Sequence, residues 1–336
     1  MSGTPPILER ARVLTEPALV AAVDRLSPDL ALPVRYHFGW VDETGAAVEG
    51  GGGKGVRPAL AVLSAEAAGA DPALALPGAV AVELVHNFSL LHDDIIDGDT
   101  ERRHRPTVWA LHGVADAIIA GDALQTLAFE VLLADPVPAR VAACRRLADA
   151  TAAMIRGQRA DMAFDDRLDV TVAECVAMEA DKTGALLAYS AAVGAELAGA
   201  PDNTVDALAA YGLALGLAFQ AVDDVLGIWG DPSVTGKAAG NDLRERKKSV
   251  PVVHALAAGG SIAAELRQLF ERTEMDDDAV ARATALIDEA GGRRSTEDAA
   301  RDHLDAALAA LAGADIDAGA AAELAALATF IVERKH

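Results

Sequence analysis

Residues 78–97 read GAVAVELVHNFSLLHDDIID. Apolar residues recur in this segment at every third or fourth position, and the segment ends in three aspartates. This spacing predicts a long helix with a buried face, because residues three and four apart share one side of a helix. Asp93 and Asp97 then share a face, with Asp94 beside them. The segment predicts a core helix that presents carboxylates at its C-terminal end.

The same helical periodicity continues along the rest of the chain. Segments that show it span about 55–69, 115–134, 138–164, 171–198 and 203–230, with shorter ones near 248–257, 261–272, 277–291, 295–311 and 318–334. Ser27 before Pro28 and Thr171 before Glu174 are signals for helix N-termini. No alternating strand of useful length competes, and no long linker divides the sequence. We therefore predict an all-α protein with a single domain over residues 1–336.

The overall charge argues against a protein that binds nucleic acid. The 336 residues include 29 basic and 51 acidic side chains, which gives a net charge of −22. Proteins that bind a phosphate backbone concentrate positive charge instead. A local basic pocket for a small anion is still compatible with this balance.

Composition also bears on the cellular compartment. The two cysteines, Cys144 and Cys175, are too few for a disulfide scaffold or a zinc site. The first residues lack the basic and apolar pattern of a signal peptide. No uninterrupted run of about 18 apolar residues predicts a membrane span. We expect a soluble, cytoplasmic protein that is not an integral membrane protein.

A second pair of adjacent aspartates ends another long apolar helix. Asp223 and Asp224 close the segment over 203–230 as Asp93 and Asp94 close the first one. Sheltered carboxylates repel each other unless a cation lies between them, and oxygen ligands select Mg²⁺, which binds one or two carboxylates together with substrate phosphates. A solvated acidic helix end is the alternative for either motif alone.

Basic residues lie near both aspartate pairs. Lys54 and Arg57 come directly after a run of four glycines, where exposed backbone N–H groups could also meet a phosphate. The others are Arg102, Arg103, Lys182, Lys237 and Lys247. A solvated surface position is the ordinary role of any one of these residues. Their combination with the aspartates indicates binding of a polyphosphate through Mg²⁺.

At this point the sequence resembles the trans-isoprenyl diphosphate synthases, also called polyprenyl synthases, and is most similar to a bacterial geranylgeranyl diphosphate synthase. The matching motifs occur in family order over about residues 50–255. They are Gly52–Pro58, Glu83–His86, Leu91–Asp97 with Arg102 and Arg103, Gly157–Gln158, Lys182–Thr183, Phe219–Asp224, Gly236–Lys237 and Lys247–Pro251. The resemblance implies an orthogonal bundle of long helices around a central cavity, usually in a homodimer.

The resemblance also implies a role for each matching residue. The residues with implied catalytic roles are Asp93, Asp97, Lys182 and Asp223. About three Mg²⁺ ions per site would be bound by Asp93, Asp97 and Asp223, with support from Asp94 and Asp224. The allylic diphosphate would contact Arg102, Lys182, Thr183, Gln220, Lys237 and Lys247. Isopentenyl diphosphate would contact Lys54, Arg57, His86 and Arg103. The predicted reaction is a Mg²⁺-dependent condensation of these two substrates by an all-trans prenyltransferase.

Two departures from the family pattern affect the second motif and the loop that follows it. Gly227 stands where many members have a third aspartate, and Arg246 stands where a glycine usually precedes the lysine aligned with Lys247. We still expect metal binding, with weaker support from the second motif.

The alternatives to a prenyltransferase are a class I terpene cyclase on the same fold and a catalytically silent partner subunit. The complete isopentenyl diphosphate set disfavours the first, and the intact Asp93 motif disfavours the second.

Two residues before the first aspartate motif bear on product length. Phe88 and Ser89 lie about one helical turn before Asp93, and one turn rises about 5.4 Å, close to the reach of an isoprene unit. In the family, bulky residues at both positions tend to stop growth at C15, whereas an aromatic with a small neighbour tends to allow C20. The pair predicts C20 geranylgeranyl diphosphate. Ordinary helix packing of Phe88 is the alternative, and products of C15 or longer than C20 stay open.

Overall fold

The structure is a computed structural model, and it describes residues 4–48, 53, 55–231 and 240–333. The first helices are α1 (Pro6–Val23), α2 (Pro28–Phe38), α3 (Val56–Ala67), α4 (Leu76–Ile96), α5 (Val108–His112), α6 (Val114–Leu133) and α7 (Pro138–Phe164). They are followed by α8 (Val172–Glu179), α9 (Ala185–Leu197), α10 (Asp202–Trp229), α11 (Asn241–Arg244), α12 (Val250–Ala257), α13 (Gly260–Phe270), α14 (Asp277–Glu289), α15 (Gly292–Ala312) and α16 (Ala318–Val332). The predicted all-α class is confirmed.

Shorter features separate some of these helices. β1 (Glu101–Arg102) and β2 (Arg105–Pro106) form an antiparallel hairpin after α4. A 3₁₀ turn over Pro72–Ala75 precedes α4, and a π-helical turn over Ala180–Gly184 joins α8 to α9. The segment predicted as one helix over 171–198 is therefore interrupted by the π-helical turn.

The chain is organised as two compact units. Unit 1 comprises Met1–Asp149, Tyr189–Ala209 and Ala314–Leu324, and unit 2 comprises Ala150–Ala188, Ala210–Gly313 and Ala325–His336. The Asp93 motif belongs to unit 1 and the Asp223 motif to unit 2. A single domain over residues 1–336 stays a prediction.

Burial of apolar helix faces stabilises each unit. In unit 1, α4 packs against α3 and α6 and buries Leu84, Val85 and Leu91 completely or nearly so. In unit 2, α12 packs against α13 to α15 around a core that includes Leu266 and Leu286. Because burial of a leucine side chain contributes about 1.5–3 kcal/mol, these cores fix the helices that carry the aspartates.

The two aspartate-bearing segments are also the most apolar ones. Pro72–Ile96 and Asp202–Trp229 are long and apolar enough to cross a membrane by length and composition. However, 61% and 44% of their most apolar windows are buried within the protein. Core helices of soluble proteins show the same property, so this observation is weak evidence for a membrane span.

Candidate active site

The first aspartate motif lies in the last turn of α4. Asp93 is half-buried and Asp97 is exposed, whereas Asp94 is only 1% exposed. Arg102 donates to Asp94 Oδ1 from Nε at 2.7 Å. Burial raises the pKa of Asp94, although Arg102 opposes the shift. Within the described part of the chain, Asp94 Oδ2 is buried without a hydrogen-bond partner, so it is an oxygen atom that a cation or water could satisfy.

The hairpin after α4 positions the two predicted arginines. Arg103 and His104 form its two-residue loop with φ angles of 55° and 60°, in the left-handed region that non-glycine residues rarely adopt. Such strain concentrates at functional sites. A Cβ on Gly53 would lie 3.1 Å from Arg103 Nη2, so the end of the glycine run contacts this arginine. Lys54 lies outside the described residues.

A cavity of about 190 Å³ opens beside this hairpin within unit 1. Its lining includes Arg102, Arg103, Arg105, Tyr36 and His37. Arg105 lies 4.2 Å from the centroid of the Tyr36 ring and donates to the Val41 carbonyl at 2.8 Å. The guanidinium groups make this cavity suited to an anion such as a diphosphate.

Arg57, at the start of α3, lies close to residues of α4. Burial lowers the pKa of Arg57, whereas nearby Glu83 raises it, and Arg57 Nε is buried without a hydrogen-bond partner among the described residues. Burial also lowers the pKa of His86 well below its usual value, and the charges of Arg57 and Arg103 act in the same direction. His86 is therefore neutral at pH 7 and offers hydrogen bonds rather than charge. The structure thus brings Arg57, His86 and Arg103 together.

The second aspartate motif repeats the arrangement of the first. Asp224 is 1% exposed, and Asp223 is half-buried. Gln220 Nε2 donates to Asp224 Oδ1 at 3.0 Å, and the Val250 N–H donates to Oδ2 at 2.9 Å. In both motifs the protein holds the second aspartate, while the first keeps access to solvent.

A cavity of about 40 Å³ within unit 2 gathers most of the residues predicted to contact the allylic diphosphate. Predicted residues in its lining are Lys182, Thr183, Gln220, Asp224 and Lys247. Lys182 Nζ donates to Asp161 Oδ2 at 2.5 Å, and Thr183 Oγ1 donates to Gln220 Oε1 at 3.1 Å. Lys237 lies outside the described residues.

The π-helical turn explains why a glycine precedes Gln158. Lys182 and Thr183 lie in this turn, and a Cβ on Gly157 would overlap the Lys182 backbone. π-Helical turns occur frequently at functional sites because they redirect side chains within a helix. The close approach of α7 at Gly157 therefore positions Lys182 beside Asp161.

Two acidic residues of this cavity were absent from the sequence-based predictions. Asp161 pairs with Lys182, and Glu179 is hydrogen-bonded to Asp224. Burial, reinforced by the charge of Asp224, raises the pKa of Glu179 to about 9. Glu179 is therefore protonated at pH 7 and donates to Asp224. The position of Glu179 within a mostly apolar helix was the available sequence signal.

Arg246 occupies the glycine position of the family in a conformation typical of glycine. Its φ is 53°, and its Nη2 donates to the Arg272 carbonyl at 2.5 Å. The next residue, Lys247, still lines the cavity. Burial alone would lower the pKa of Lys247, but Asp242 and other nearby carboxylates raise it. Lys247 is thus a cation at pH 7.

The carboxylates of the two motifs have the chemistry that Mg²⁺ requires. They offer only oxygen atoms, including the unpartnered Asp94 Oδ2. Among residues 4–48, 53, 55–231 and 240–333, no three Asp, Glu, His or Cys side chains converge as a complete metal-ligand set.

The two residues connected with product length differ in their surroundings. The Phe88 side chain is buried, and its ring meets His92 edge-on with the ring centroids 4.9 Å apart. His92 in turn packs against Gly121 of α6, where a Cβ would overlap the imidazole. Ser89 is half-buried and donates to the His86 carbonyl at 2.8 Å. Phe88 therefore packs against His92, which in turn contacts α6, while Ser89 has only a small side chain at the neighbouring position.

Comparisons with known proteins agree with this geometry. The sequence model of the polyprenyl synthetase family matches residues 39–287. A (2E,6E)-farnesyl diphosphate synthase of Mycobacterium tuberculosis is 51% identical over 99% of this chain and 94% of its own length. A geranylgeranyl diphosphate synthase of the same species is 44% identical over 98% and 93%, respectively. The crystal structure of a polyprenyl synthetase from Streptomyces coelicolor has a TM-score of 0.94 at 52% identity and covers 98% of this chain and 100% of its own.

Proposed function

We propose that this chain, which belongs to the polyprenyl synthetase family and is a trans-prenyltransferase, makes C20 geranylgeranyl diphosphate from isopentenyl diphosphate and an allylic diphosphate. The observation that carries the proposed substrate chemistry is the unit 2 cavity. There Lys182, Gln220 and Lys247 lie beside the buried Asp224. Cations and amide groups next to a carboxylate pair suit a diphosphate that is bound together with Mg²⁺.

Residues of both motifs would bind the metal. Asp93, Asp97 and Asp223 are the proposed ligands of about three Mg²⁺ ions, and the protein-held Asp94 and Asp224 would support them. Bound Mg²⁺ would stabilise the negative charge that develops on the departing diphosphate. Lys182, held by Asp161, and Lys247 would neutralise the same charge.

The remaining cations serve the second substrate in this proposal. Arg57 and Arg103, with Lys54, would bind the diphosphate of isopentenyl diphosphate, and neutral His86 would add a hydrogen bond. Cleavage of the C–O bond to the allylic diphosphate would leave an allylic carbocation, which the double bond of isopentenyl diphosphate would attack. Transfer of a proton from the resulting cation to the released diphosphate would complete one five-carbon extension, and exclusion of water would protect the cation.

Substitution of the proposed ligands tests the assignment. Asp93→Ala and Asp223→Ala should each lower incorporation of labelled isopentenyl diphosphate by about 100-fold or more, because each removes a metal ligand. Asp116→Ala, at an exposed aspartate in the first turn of α6, is the matched control and should keep full activity. Circular dichroism should show unchanged helix content in all three. Near-normal turnover of Asp93→Ala would overturn the assignment of the first motif.

The C20 product rests on the small Ser89 beside the bulky Phe88. C15 farnesyl diphosphate is the second candidate, because the 51% identical relative is a farnesyl diphosphate synthase. Chromatography of the products separates the two. Wild type should yield C20, Ser89→Phe should shorten the product toward C15, and Phe88→Ala should lengthen it beyond C20. A C15 product from wild type would refute the C20 proposal but leave the prenyltransferase activity intact.

We further propose a cytoplasmic homodimer that does not bind nucleic acid. The α6 helix exposes Val114, Ile118 and Ile119 to solvent. Clustered exposed apolar side chains are typical of subunit interfaces. Light scattering after size exclusion should give twice the mass of the chain, whereas a monomer mass would contradict the proposed dimer.

A further inference from the structure

We propose that Asp242 serves as the third carboxylate of the second aspartate motif, in place of the side chain that Gly227 lacks. The inference rests on the proposed function, because it deepens the description of the Mg²⁺ and diphosphate site. It assigns Asp242 as a positioning residue that accepts hydrogen bonds from water bound to Mg²⁺.

The first support is the space next to Gly227. Gly227 follows Asp223 by four residues, so a side chain at position 227 would share a helical face with Asp223. A Cβ built on Gly227 would overlap the carboxylate of Asp242, whose Oδ1 would lie 2.8 Å away. The Asp242 carboxylate therefore fills the volume in which a third aspartate of the motif would begin.

The backbone on both sides of Asp242 is fixed. Gly240 precedes α11 with a φ of 71°, and a Cβ there would overlap Val280 of α14. Leu243 is fully buried in the unit 2 core. The Lys247 N–H donates to the Asp242 carbonyl at 2.8 Å. The carboxylate is therefore held against α10 by the fold rather than by an exposed loop.

The electrostatic surroundings place Asp242 in the same site. Among the carboxylates that raise the pKa of Lys247, Asp242 has the largest effect, followed by Asp224 and Asp161. Because position 227 is a glycine, the motif carries one negative charge fewer than a motif with three aspartates, and Asp242 supplies that charge. Mg²⁺ keeps several of its waters in proteins, and carboxylates that accept from such waters support metal binding.

Binding of Mg²⁺ with inorganic pyrophosphate tests this role without relying on turnover. The measurement is the Mg²⁺ concentration that gives half of the thermal stabilisation of the full chain at saturating pyrophosphate. Asp242→Asn keeps the shape but removes the charge, and it should raise this concentration about 10-fold. Asp277→Asn, at an exposed aspartate paired with Arg244, is the matched control and should leave it unchanged.

A relocated carboxylate provides the decisive variant. The double substitution Gly227→Asp with Asp242→Ala should return the midpoint to within about threefold of wild type, because the charge moves back into the motif. Gly227→Asp alone should lower the melting temperature of the ligand-free protein, because two carboxylates would compete for one volume.

The outcomes separate this inference from the proposed function. A midpoint for Asp242→Asn within about twofold of wild type would overturn the role of Asp242, as would a double variant no better than Asp242→Asn. Asp223→Ala is measured alongside. If Asp223→Ala also binds Mg²⁺ and pyrophosphate normally, the proposed metal site itself is wrong. If Asp223→Ala weakens binding but Asp242→Asn leaves the Mg²⁺ midpoint unchanged, the metal site is supported and the role of Asp242 is wrong.

Discussion

Replacement of Glu179 by glutamine tests the buried acid pair behind the second aspartate motif. Glu179 is 4% exposed, and its carboxyl is hydrogen-bonded to Asp224. The Cys175 thiol lies 3.6 Å from Glu179 Oε1 and donates to the Lys248 carbonyl at 3.2 Å. Glutamine has the shape of the protonated acid and keeps an N–H donor toward Asp224. The Glu179→Gln variant therefore removes the titration while preserving the packing.

The size of the effect follows from the pKa of Glu179. Burial and the charge of Asp224 raise this pKa from 4.5 to about 9. At pH values between these limits, the folded protein retains a proton that the unfolded chain has released, so the free energy of unfolding falls as pH rises. The fall is about 1.4 kcal/mol per pH unit, or roughly 2.7 kcal/mol between pH 6 and pH 8. For a unit of this size, that corresponds to about 5–11 °C in melting temperature.

The assay compares melting temperatures of wild type and variants from pH 6 to pH 8 in buffer with a chelator. The melting temperature of wild type minus that of Glu179→Gln should fall by about 5–11 °C across this range. Glu174→Gln is the matched control on the same helix, because hydrogen bonds from Thr171 and Arg167 lower the pKa of Glu174 to about 2. Its difference from wild type should stay constant. A constant difference for Glu179→Gln as well would refute the protonated state of Glu179.

Three further predictions concern positioning, substrate separation and helix capping. Gly157→Ala should lower the free energy of unfolding by about 1–3 kcal/mol in thermal or denaturant melts, because its Cβ would overlap the Lys182 backbone, whereas Gly313→Ala makes only ordinary contacts and should not. Arg57→Ala should mainly raise KM for isopentenyl diphosphate, and Lys182→Ala that for the allylic substrate, because charge-assisted contacts act on one ligand; equal changes in both KM values would contradict the division. Thr171→Ala should cost about 1 kcal/mol in the same melts, because it removes the capping box of α8, and an unchanged melting temperature would contradict this.

The apolar periodicity was sufficient to predict the long helices, because burial and helical propensity favour the same structure in those segments. The predicted segment over 138–164 coincides with α7, and those over 78–97 and 203–230 differ from α4 and α10 by one or two residues at each end. The π-helical turn could not be predicted in this way. It depends on the approach of Gly157 from α7, a tertiary contact that leaves the local pattern of α8 and α9 helical.

The residues that escaped prediction share one property: their role depends on a partner distant in sequence. In the sequence, nothing distinguishes Asp161 from an ordinary surface acid, and only the structure places Lys182 beside it. The turn at Arg103 and His104 lacks the glycine or asparagine that usually signals positive φ angles. Lys182, Thr183 and Gln220 were found because their motifs resemble those of a family, and the structure does bring them to one cavity.

The burial of Asp94 and Asp224 argues most strongly against two ordinary acidic helix ends. Removal of a carboxylate from water costs several kcal/mol, and an acidic helix end gains nothing from it. Each buried aspartate is nevertheless held by donors from outside its own turn, Arg102 for Asp94 and the Val250 N–H for Asp224. The same arrangement occurs in two different units and depends on donors distant in sequence, so local folding alone does not account for it. A shared requirement for a fixed carboxylate behind a solvent-accessible one would account for it, and the proposed binding of Mg²⁺ with a diphosphate would supply that requirement.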